Sequence, residues 1–249
     1  MKHPNPWFSL WEHPKPYQGN EPEFWDASVF CGTKDFEQQF AVIQSEVHAF
    51  LSKNAASPYF KSEMVSGGAG YDTLSLKWWG IHFYKNTHEM PALQSLLKKY
   101  PEITTLSINV LEPGKRIFPH MGDTNAVFRC HFGIDIPQGL PNCGIRVKEE
   151  LRAWKSGEWI MFTDAYVHET WNLSAKPRVV LLVDVLRPEF VSLKTRIQAT
   201  VLCSLFLQKR MTKHRWIRRH IQWIVPVCAP FLIPLIVCRI QWLNFSRKY

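Results

Sequence analysis

Histidine and arginine side chains lie in and beside short apolar runs in the middle of the chain, where such residues could bind a metal ion and an anion. The run VFRCHFGIDI carries Arg129 and His131 on alternate positions, and His120 lies just before it. His168 follows another run, EWIMFT. Imidazole binds iron, zinc and copper, and separate strands commonly supply the ligands in a jelly roll. His120 and His168 are therefore candidate metal ligands, although two histidines among ten are also compatible with ordinary packing.

Arg178 is a candidate for binding an anion. It begins the apolar run RVVLLVDVL, in which alternation places Asp184 on the same face. Asp184 lies six residues away, which corresponds to about 20 Å along a strand. A guanidinium inside a β barrel needs an anionic partner, and its forked donors match a carboxylate. We therefore expect Arg178 to bind the carboxylate of a ligand.

The elements expected to position these residues are mostly strands. Residues 35–53 have apolar positions at helical spacing, and residues 91–101 fit a short helix. Strand-like runs separated by turn residues then dominate 103–186. The segment LEPGKRIFP is expected to be a loop that sets His120 at the mouth of a strand. This order predicts a mainly β fold, a sandwich or jelly roll with flanking helices, rather than a doubly wound α/β sheet.

The formal net charge of +9 is distributed unevenly along the chain. Residues 187–249 contain twelve Lys and Arg and one acidic residue, whereas residues 1–186 have two more acidic than basic residues. A globular nucleic-acid-binding protein more often carries a basic face within its fold. No nucleic-acid partner is therefore expected for the folded part.

The basic C-terminal region has three parts. Four-residue apolar spacing predicts a helix at 190–208. The basic run KRMTKHRWIRRH (209–220) follows, and then the uncharged run WIVPVCAPFLIPLIVC (223–238), with prolines at every fourth position. As a helix the uncharged run would measure about 24 Å, which is shorter than a hydrocarbon core of roughly 30 Å.

The prolines bear on the environment of this uncharged run. Each would cost a helix in water roughly 3 kcal/mol, but prolines are better tolerated in membranes. We expect residues 209–243 to associate with a membrane, first as a kinked, interfacial or re-entrant anchor and second as a span. Binding of nucleic acid by the basic run is the third alternative.

The cysteines and the N-terminus complete the predicted organisation. Six cysteines without a C-x-x-C pair indicate a reduced compartment. The proline-rich N-terminus contains no apolar run of secretory length, so no signal peptide is expected. We predict an irregular N-terminal arm at 1–34, a β domain at 35–190 and a helical, membrane-associating tail at 191–249.

Several short motifs follow one another in a fixed order. They are HxGxTN at 120–125, RxH at 129–131, CxIRV at 143–147, WxxG at 154–157, FxDxxxHExWN at 162–172 and RVVLLVDV at 178–185. Together they resemble the aspartyl/asparaginyl β-hydroxylase family of iron(II)- and 2-oxoglutarate-dependent oxygenases, over about residues 70–190. The run SLKWWG at 75–80 also resembles the lipid A hydroxylase branch. The resemblance implies a double-stranded β-helix.

The resemblance also implies a metal site. His120 and His168 would be the iron ligands. Gly122 stands where many 2-oxoglutarate enzymes have an aspartate ligand. The protein-hydroxylase branch likewise has glycine there, whereas the lipid branch has the acid.

A second set of residues would bind the cosubstrate. Arg178 would hold the distal carboxylate of 2-oxoglutarate, and Arg129 and His131 would hold the end that chelates iron. Asn109 occupies the position at which the protein-hydroxylase branch has a serine that contacts the cosubstrate.

Four other residues near these motifs have alternative roles. Asp123 adjoins the missing ligand position, where it could bind an iron-bound water or cap its own loop. Trp78, Trp79 and Trp154 fit the core or a pocket wall better than a catalytic role.

The implied function is hydroxylation of a C–H bond, with iron(II) as the metal and O₂ and 2-oxoglutarate as cosubstrates. The apolar tail favours a lipid acyl chain as substrate, as in a lipid A-like molecule, whereas Gly122 favours a peptide Asp or Asn side chain. The catalytic domain is expected to face the cytoplasm, where iron(II) and 2-oxoglutarate are available. A non-catalytic, membrane-associated binding module on the same fold is the alternative, which the complete set of polar residues argues against.

Overall fold

The computed structural model describes residues 5–12, 15–54, 57–59 and 61–246, and within them two antiparallel sheets form the centre of the fold. The larger sheet comprises β1 (Phe24–Trp25), β2 (Ser57–Pro58), β3 (Tyr71–Trp78), β4 (Ile81–His82), β5 (Ile103–Leu111), β7 (Val127–Asp135), β10 (Trp159–Phe162) and β12 (Arg178–Leu186). The smaller sheet comprises β6 (Lys115–His120), β8 (Cys143–Val147), β9 (Glu150–Arg152) and β11 (His168–Asn172). The predicted mainly β, jelly-roll architecture is confirmed.

Strand pairing fixes which residues meet across each sheet. The larger sheet has the order β1-β10-β7-β12-β5-β3-β2, with β4 beside β3, and the smaller has the order β6-β11-β8-β9. Pairing of β7 with β12 sets Arg129 opposite Asp184. The prediction of a loop before His120 is wrong for residues 115–120. These residues form β6, which pairs with β11, and Ile117 is buried.

Helices cover the outer face of the larger sheet. They are α2 (Thr33–Gln38), α3 (Phe40–Lys53) and α5 (Pro91–Lys99), with the short α4 (Tyr84–His88) before α5. The single helix predicted at 35–53 is thus two, which meet at Gln39. Apolar residues of α3 and α5, such as Ile43 and Leu93, share one core with Phe132 and Leu181 of the sheet.

Alternation along β7 separates this core from the polar interior. Phe128, Cys130 and Phe132 belong to the helix-covered core, whereas Arg129 and His131 line the space between the two sheets. This division is the one that the sequence pattern predicts, because side chains of a strand point alternately to its two faces. The strand therefore delivers two polar side chains to the interior without disturbing the core.

The N-terminal segment contacts the fold at several points. It contains the one-turn helix α1 (Ser9–Glu12), and β1 extends the larger sheet by pairing with β10. The backbone N–H of Trp7 donates to Oδ1 of Asn125 at 2.8 Å, and Arg187 is 2.8 Å from the carboxylate of Glu21. The described part of the predicted arm is therefore fastened to the β domain.

Two helices follow the last strand. A 3₁₀ segment (Pro188–Leu193) leads into α6 (Lys194–Lys213), and α7 (Arg215–Ser246) ends the described chain. The apolar stripe of α6, which includes Ile197 and Leu205, packs in one cluster with Val127 of β7. The predicted helix at 190–208 is confirmed from Lys194 onwards, and it continues to Lys213. Packing against the β domain buries the apolar face of α6.

The last helix is only partly covered by the fold. It has a non-helical residue at His220 and contains Pro226, Pro230 and Pro234. Two segments, Pro188–Met211 and Arg219–Ser246, are long and apolar enough to cross a membrane, but 61% of the first is buried in the fold against 17% of the second. The exposed large apolar side chains of α7 are Trp216, Trp223, Val227, Phe231, Leu235, Trp242 and Phe245. Arg247 and Lys248, which are basic residues that follow the uncharged run, lie outside the described residues.

Candidate active site

The two candidate metal ligands lie side by side. Antiparallel pairing of β6 with β11 sets His120 opposite His168, and their ring centroids are 4.2 Å apart. Nδ1 of His120 is 2.8 Å from the carbonyl oxygen of Phe118, and Nδ1 of His168 is 2.8 Å from that of Tyr166. A backbone carbonyl can only accept, so each Nδ1 carries the proton. Each Nε2 is then left with a lone pair, as metal-ligating histidines require.

Both imidazoles are suited to metal binding at neutral pH. Burial lowers the pKa of His120 to about 4, and the positive charge of Arg129 acts in the same direction. Burial lowers the pKa of His168 well below its usual range, with His120 adding to the effect. Because metal ligands must be deprotonated, neutral rings favour coordination.

A carboxylate occupies the space beside Gly122. A Cβ built on Gly122 would lie 1.6 Å from Oδ2 of Asp164, so the glycine leaves room for that side chain. Oδ1 of Asp164 is 3.5 Å from Nε2 of His168. Among the described residues, no group of three or more His, Cys, Asp and Glu side chains is arranged to hold a metal ion. The arrangement thus offers two histidine ligands with a carboxylate next to them.

Asp164 was not predicted to be a site residue, although it is the aspartate of the FxDxxxHExWN motif. Arg129 connects it to the larger sheet. Nη1 of Arg129 donates to Asp164 at 2.7 Å, while Nε and Nη2 donate to Asp184 at 2.8 and 3.0 Å. One guanidinium therefore serves two buried carboxylates.

The sharing of Arg129 has an electrostatic effect on Asp164. Burial raises the pKa of Asp164 to about 7; the nearby charge of Asp184 acts in the same direction, and Arg129 only partly offsets both. A carboxyl group with this pKa can change its protonation state near neutral pH.

Arg178 is buried at the other end of the cavity. It is 1% exposed, and its Nε and Nη1 atoms have no hydrogen-bond partner among the described residues. Its guanidinium lies 4.7 Å from the ring centre of Trp154, which covers one face. Leaving a buried charged donor unpaired is costly, so this guanidinium is suited to an anionic ligand.

Further polar atoms near Arg178 also lack partners. Nδ1 of His131, Oγ1 of Thr170 and Nε1 of Trp154 are buried and make no hydrogen bond within the described part of the chain. Burial and the charge of Arg178 lower the pKa of His131 well below its usual range, so the ring is neutral. A neutral ring and an unpaired guanidinium can together bind a carboxylate through several hydrogen bonds.

Asn109 lies in this cavity within a small hydrogen-bonded group. Its Nδ2 donates to the hydroxyl of Tyr71, and its Oδ1 accepts from Ser107 at 2.7 Å. Tyr71 and Asn109 line the same cavity as Arg178, although the sequence did not single out Tyr71. Pairing of β3 with β5 brings the two residues together.

A second, wider cavity adjoins the candidate metal site formed by His120 and His168. It measures about 280 Å³, and His120, Arg129, Asn109 and Tyr71 contribute to both cavities. Apolar and aromatic residues that line the wider cavity include Met64, Trp78, Trp79, Ile117, Leu182 and Leu205. Leu205 belongs to α6, so the C-terminal region supplies part of the wall.

The predicted alternatives for the neighbouring residues can now be compared with their positions. Asp123 lines the wider cavity, and its carboxylate accepts a hydrogen bond from Nε2 of Gln208 on α6 at 2.9 Å. Trp78 and Trp79 form cavity wall, and Trp154 stacks on the ring of His131 as well as covering Arg178. Trp78 and Trp79 thus have wall positions and Trp154 a core position, as the sequence favours.

The fold and these residues define a jelly-roll protein with a two-histidine, metal-type site and an anion-binding arginine in one cavity. The chain belongs to the aspartyl/asparaginyl beta-hydroxylase family, whose model matches residues 37–188. The family resemblance of the sequence motifs is confirmed.

Similar proteins include hydroxylases with different substrates in their names. The ornithine lipid ester-linked acyl 2-hydroxylase of Rhizobium tropici is 31% identical over 175 residues, which cover 68% of this chain and 62% of that protein. The aspartyl/asparaginyl beta-hydroxylase of Homo sapiens is 27% identical over 168 residues, which cover 66% of this chain but 22% of that protein. The matched region is therefore less than two thirds of either relative. Relatives that are hydroxylases support an enzymatic role for the chain.

Solved structures with a related shape include a viral collagen prolyl hydroxylase from Paramecium Bursaria Chlorella virus-1, determined as a 2OG complex. It has a TM-score of 0.38 and 8% identity, and the match covers 66% of this chain and 97% of that chain. A cupin domain from Enterobacter cloacae matches with a TM-score of 0.32 and 13% identity, over 47% of this chain and 96% of that chain.

Proposed function

We propose that the protein is an iron(II)- and 2-oxoglutarate-dependent dioxygenase that hydroxylates a C–H bond. The observation that carries the proposal is the buried guanidinium of Arg178, whose Nε and Nη1 have no partner among the described residues. It lies in one cavity with two neutral histidines whose Nε2 atoms carry no proton. A dicarboxylate cosubstrate provides the counter-charge that Arg178 lacks, and imidazole is a ligand suited to iron.

The chain's own residues position the reactants. His120 and His168 would hold iron through Nε2, and Arg178 would bind the distal carboxylate of 2-oxoglutarate. Iron(II) with 2-oxoglutarate and O₂ supplies the oxidising chemistry that converts C–H to C–OH. His131 is positioned to donate or accept at the cosubstrate, and Trp154 excludes water from the face of Arg178 that it covers.

Arg129 and Asp164 have a supporting role in this proposal. Arg129 remains a candidate for the chelating end of the cosubstrate, because it lines the cavity and the two aspartates take three of its five N–H donors. Asp164 is near enough to His168 to accept a hydrogen bond from a water molecule at the metal. Asn109 and Tyr71 complete the cavity wall near Arg178.

Two features favour a lipid acyl chain as the substrate. The wider cavity has an aromatic and aliphatic lining that includes Leu205 of α6, and α6 packs directly against the apolar α7. The Rhizobium relative is named for acyl hydroxylation. A peptide Asp or Asn side chain is the second candidate, because Gly122 matches the protein-hydroxylase branch and the human relative carries that name.

We propose further that α7 binds an anionic membrane surface, with the β domain facing the cytoplasm. Trp223, Phe231 and Leu235 are 70%, 72% and 66% exposed. Exposed tryptophans such as Trp223 and Trp242 suit the membrane interface. Exposed basic residues at the end of α6 and within α7 are Lys209, Arg210, Lys213, Arg219 and Arg239. Each basic residue close to an anionic leaflet contributes about 1 kcal/mol.

The packing of α7 favours a helix that lies in the membrane plane over one that spans it. Ile221, Val225 and Ile240 are buried against the fold, and the backbone N–H of His82 donates to Oδ1 of Asn244 at 3.2 Å. The first half of the helix is therefore packed on α6, and its end is packed on the β domain. Spanning would require this face to separate from the fold.

The prolines of α7 favour the same location. Pro226, Pro230 and Pro234 are exposed, and because each lacks an N–H, the carbonyl four residues earlier loses its helical donor. Unpaired carbonyls cost several kcal/mol each in hydrocarbon, but water and headgroups can satisfy them at the interface.

Succinate formation tests the catalytic proposal. Purified protein with iron(II), 2-oxoglutarate and O₂ is expected to release succinate, and His168→Ala should abolish this release. His88→Ala is the matched control, because His88 is exposed on α4, and it should retain activity. Full turnover by His168→Ala would contradict the metal site. No succinate from wild type with either substrate class would favour the non-catalytic binding module.

Mass spectrometry distinguishes the substrates. Lipid extracts and peptides from cells with and without the protein are compared for the gain of one oxygen atom. Gain in an acyl chain supports the lipid, and gain in a peptide Asp or Asn supports the second candidate.

Fractionation tests the membrane proposal. The variant Phe231→Asn/Leu235→Asn should leave the membrane pellet, whereas Val42→Asn should remain there, because Val42 is 54% exposed but lies on α3. Release of wild type by high salt alone would indicate electrostatic adhesion without insertion, and retention of the double variant would exclude this face as the anchor.

A further inference from the structure

A third cavity lies outside the active site, where β3, β4, α6 and α7 meet. It measures about 370 Å³. Its polar lining residues are Lys77, His82, Lys194, Thr195, Gln198, Gln241 and Asn244. Lys77 and Gly80 belong to the SLKWWG run, to which the proposed catalysis assigns no polar role. No acidic side chain lines this cavity among the described residues.

Lys77 is buried without a counter-charge. It is 4% exposed, and among the described residues its ammonium has neither an ion pair nor a hydrogen-bond acceptor. Burial lowers its pKa to about 8, and the positive charge of Lys194 acts in the same direction. Glu102 partly offsets these effects from beyond ion-pair distance. At neutral pH the cavity therefore contains a mostly charged ammonium that a ligand can satisfy.

Gln198 adds an unpaired donor to the same cavity. It is 4% exposed, and no residue that the structure describes forms a hydrogen bond with its Nε2. A Cβ built on Gly80 would lie 2.6 Å from Oε1 of Gln198, so the glycine allows this side chain to pack against the turn after β3. One buried, unpaired donor and one buried lysine without a counter-charge thus line the same cavity. Buried polar groups in folded proteins are normally hydrogen-bonded, which points to a ligand here.

We propose that this cavity binds an oxyanion of the phosphate type through Lys77 and Gln198. A tetrahedral oxyanion offers acceptors to both donors at once and supplies the missing negative charge. The source is either free phosphate or the phosphate of a lipid headgroup. Gln241, Asn244 and Phe245 bring the membrane-facing helix α7 to the cavity rim.

The cavity is separated from the active site by a short stretch of α6. Gln198 lines this cavity and Leu205 lines the wide active-site cavity. Seven residues are about two helical turns, so the two positions share one helix face and lie about 10 Å apart. A lipid held by its phosphate here would therefore have its chains within reach of the active site. The binding of the anion does not depend on the proposed catalysis, because it requires no iron.

Calorimetric titration of the full chain in neutral detergent, without iron, tests the site. The probes are inorganic phosphate and, separately, a short-chain phosphatidic acid. Lys77→Met removes the charge from a buried position with little change in volume, and Lys85→Met is the control because Lys85 is exposed on α4. We expect at least one probe to bind wild type, Lys77→Met and Gln198→Leu to weaken it ten-fold or more, and Lys85→Met to leave it unchanged.

The two probes separate the possible sources of the oxyanion. Binding of both, weakened by Lys77→Met, identifies a site open to free phosphate. Binding of the lipid alone, weakened in the same way, identifies a headgroup site. Equal affinities of wild type and a folded Lys77→Met variant, or no binding of either probe at millimolar concentration, would overturn the proposal.

Discussion

The carboxylate of Asp164 stands in the space that a side chain at residue 122 would require. A Cβ on Gly122 would lie 1.6 Å from Oδ2 of Asp164, and the backbone N–H of Gly122 donates to the carbonyl of Asp164 at 2.7 Å. The glycine and the aspartate therefore form one unit. An acidic side chain therefore lies beside the histidines, but Asp164 in the loop before β11 supplies it instead of residue 122. Arg129 orients this side chain through a hydrogen bond.

Gly122→Asp is expected to destabilise the protein and weaken iron binding, because the new side chain displaces Asp164 from Arg129. Adding Asp164→Gly removes the collision, so the double variant should recover part of both properties. Iron titration and thermal unfolding provide the measurements. Gly139→Ala is the control, since its Cβ would meet nothing nearer than 3.8 Å. A double variant as impaired as Gly122→Asp alone would contradict this steric relationship.

Arg178→Met is expected to weaken 2-oxoglutarate binding by ten- to a hundred-fold. A charged hydrogen bond contributes about 1.5–3 kcal/mol, and each ~1.4 kcal/mol is a factor of ten. Calorimetric titration of the iron(II)-loaded protein without O₂ measures the affinity. Because Arg178 is buried with no carboxylate partner among the described residues, the variant should be at least as stable as the wild type toward unfolding. Unchanged affinity would remove Arg178 from the cosubstrate site.

Arg129→Met should behave in the opposite way and lower the stability strongly. The substitution leaves the side chains of Asp164 and Asp184, which are 2% and 0% exposed, without their shared cation. Breaking a buried ion pair on one side typically costs about 3–5 kcal/mol. Chemical unfolding gives the difference. Lys155→Met, which removes an ion pair to Glu158 whose partners are 73% and 61% exposed, should change stability by about 1 kcal/mol or less. Similar effects of the two substitutions would contradict the central role of Arg129.

Lys77→Met should stabilise the protein at pH 7 by on the order of 2–3 kcal/mol, because burial lowers the Lys77 pKa from 10.5 to about 8. Between these two pKa values the unfolded chain binds more protons than the folded one, so wild-type stability rises with pH. The advantage of the variant should therefore shrink to about 1 kcal/mol or less near pH 10. Unfolding at both pH values without phosphate tests this, and an advantage that does not depend on pH would contradict the buried charge.

The sequence predicts the fold and the individual polar site residues better than it predicts the contacts between those residues. Alternation in β7 correctly assigns Phe132 to the core and Arg129 to the interior, because a strand has only two faces. The pairing of Asp164 with Gly122 depends on a loop 42 residues further along the chain, and strand periodicity carries no information about loop paths.

In the C-terminal region, too, the sequence predicts the helix but not its packing. The spacing of Ile197, Val201 and Leu205 predicts α6 as a helix, but not the surface that it covers. A helix stripe of this kind fits a membrane or a protein core equally well by composition. Only the tertiary structure assigns the apolar face of α6 to the β domain and leaves the outer face of α7 exposed.

The pairing of one arginine with two aspartates also sets the formal charge of the active site. With both carboxylates ionised, the group of Arg129, Asp164 and Asp184 carries one excess negative charge, and Arg178 carries one positive charge. These four side chains together are then neutral before the proposed ligands bind. A divalent cation and a dicarboxylate also sum to zero, whereas either one alone would leave two uncompensated charges in a poorly hydrated space. Binding of one should therefore strengthen binding of the other by the same factor in both directions.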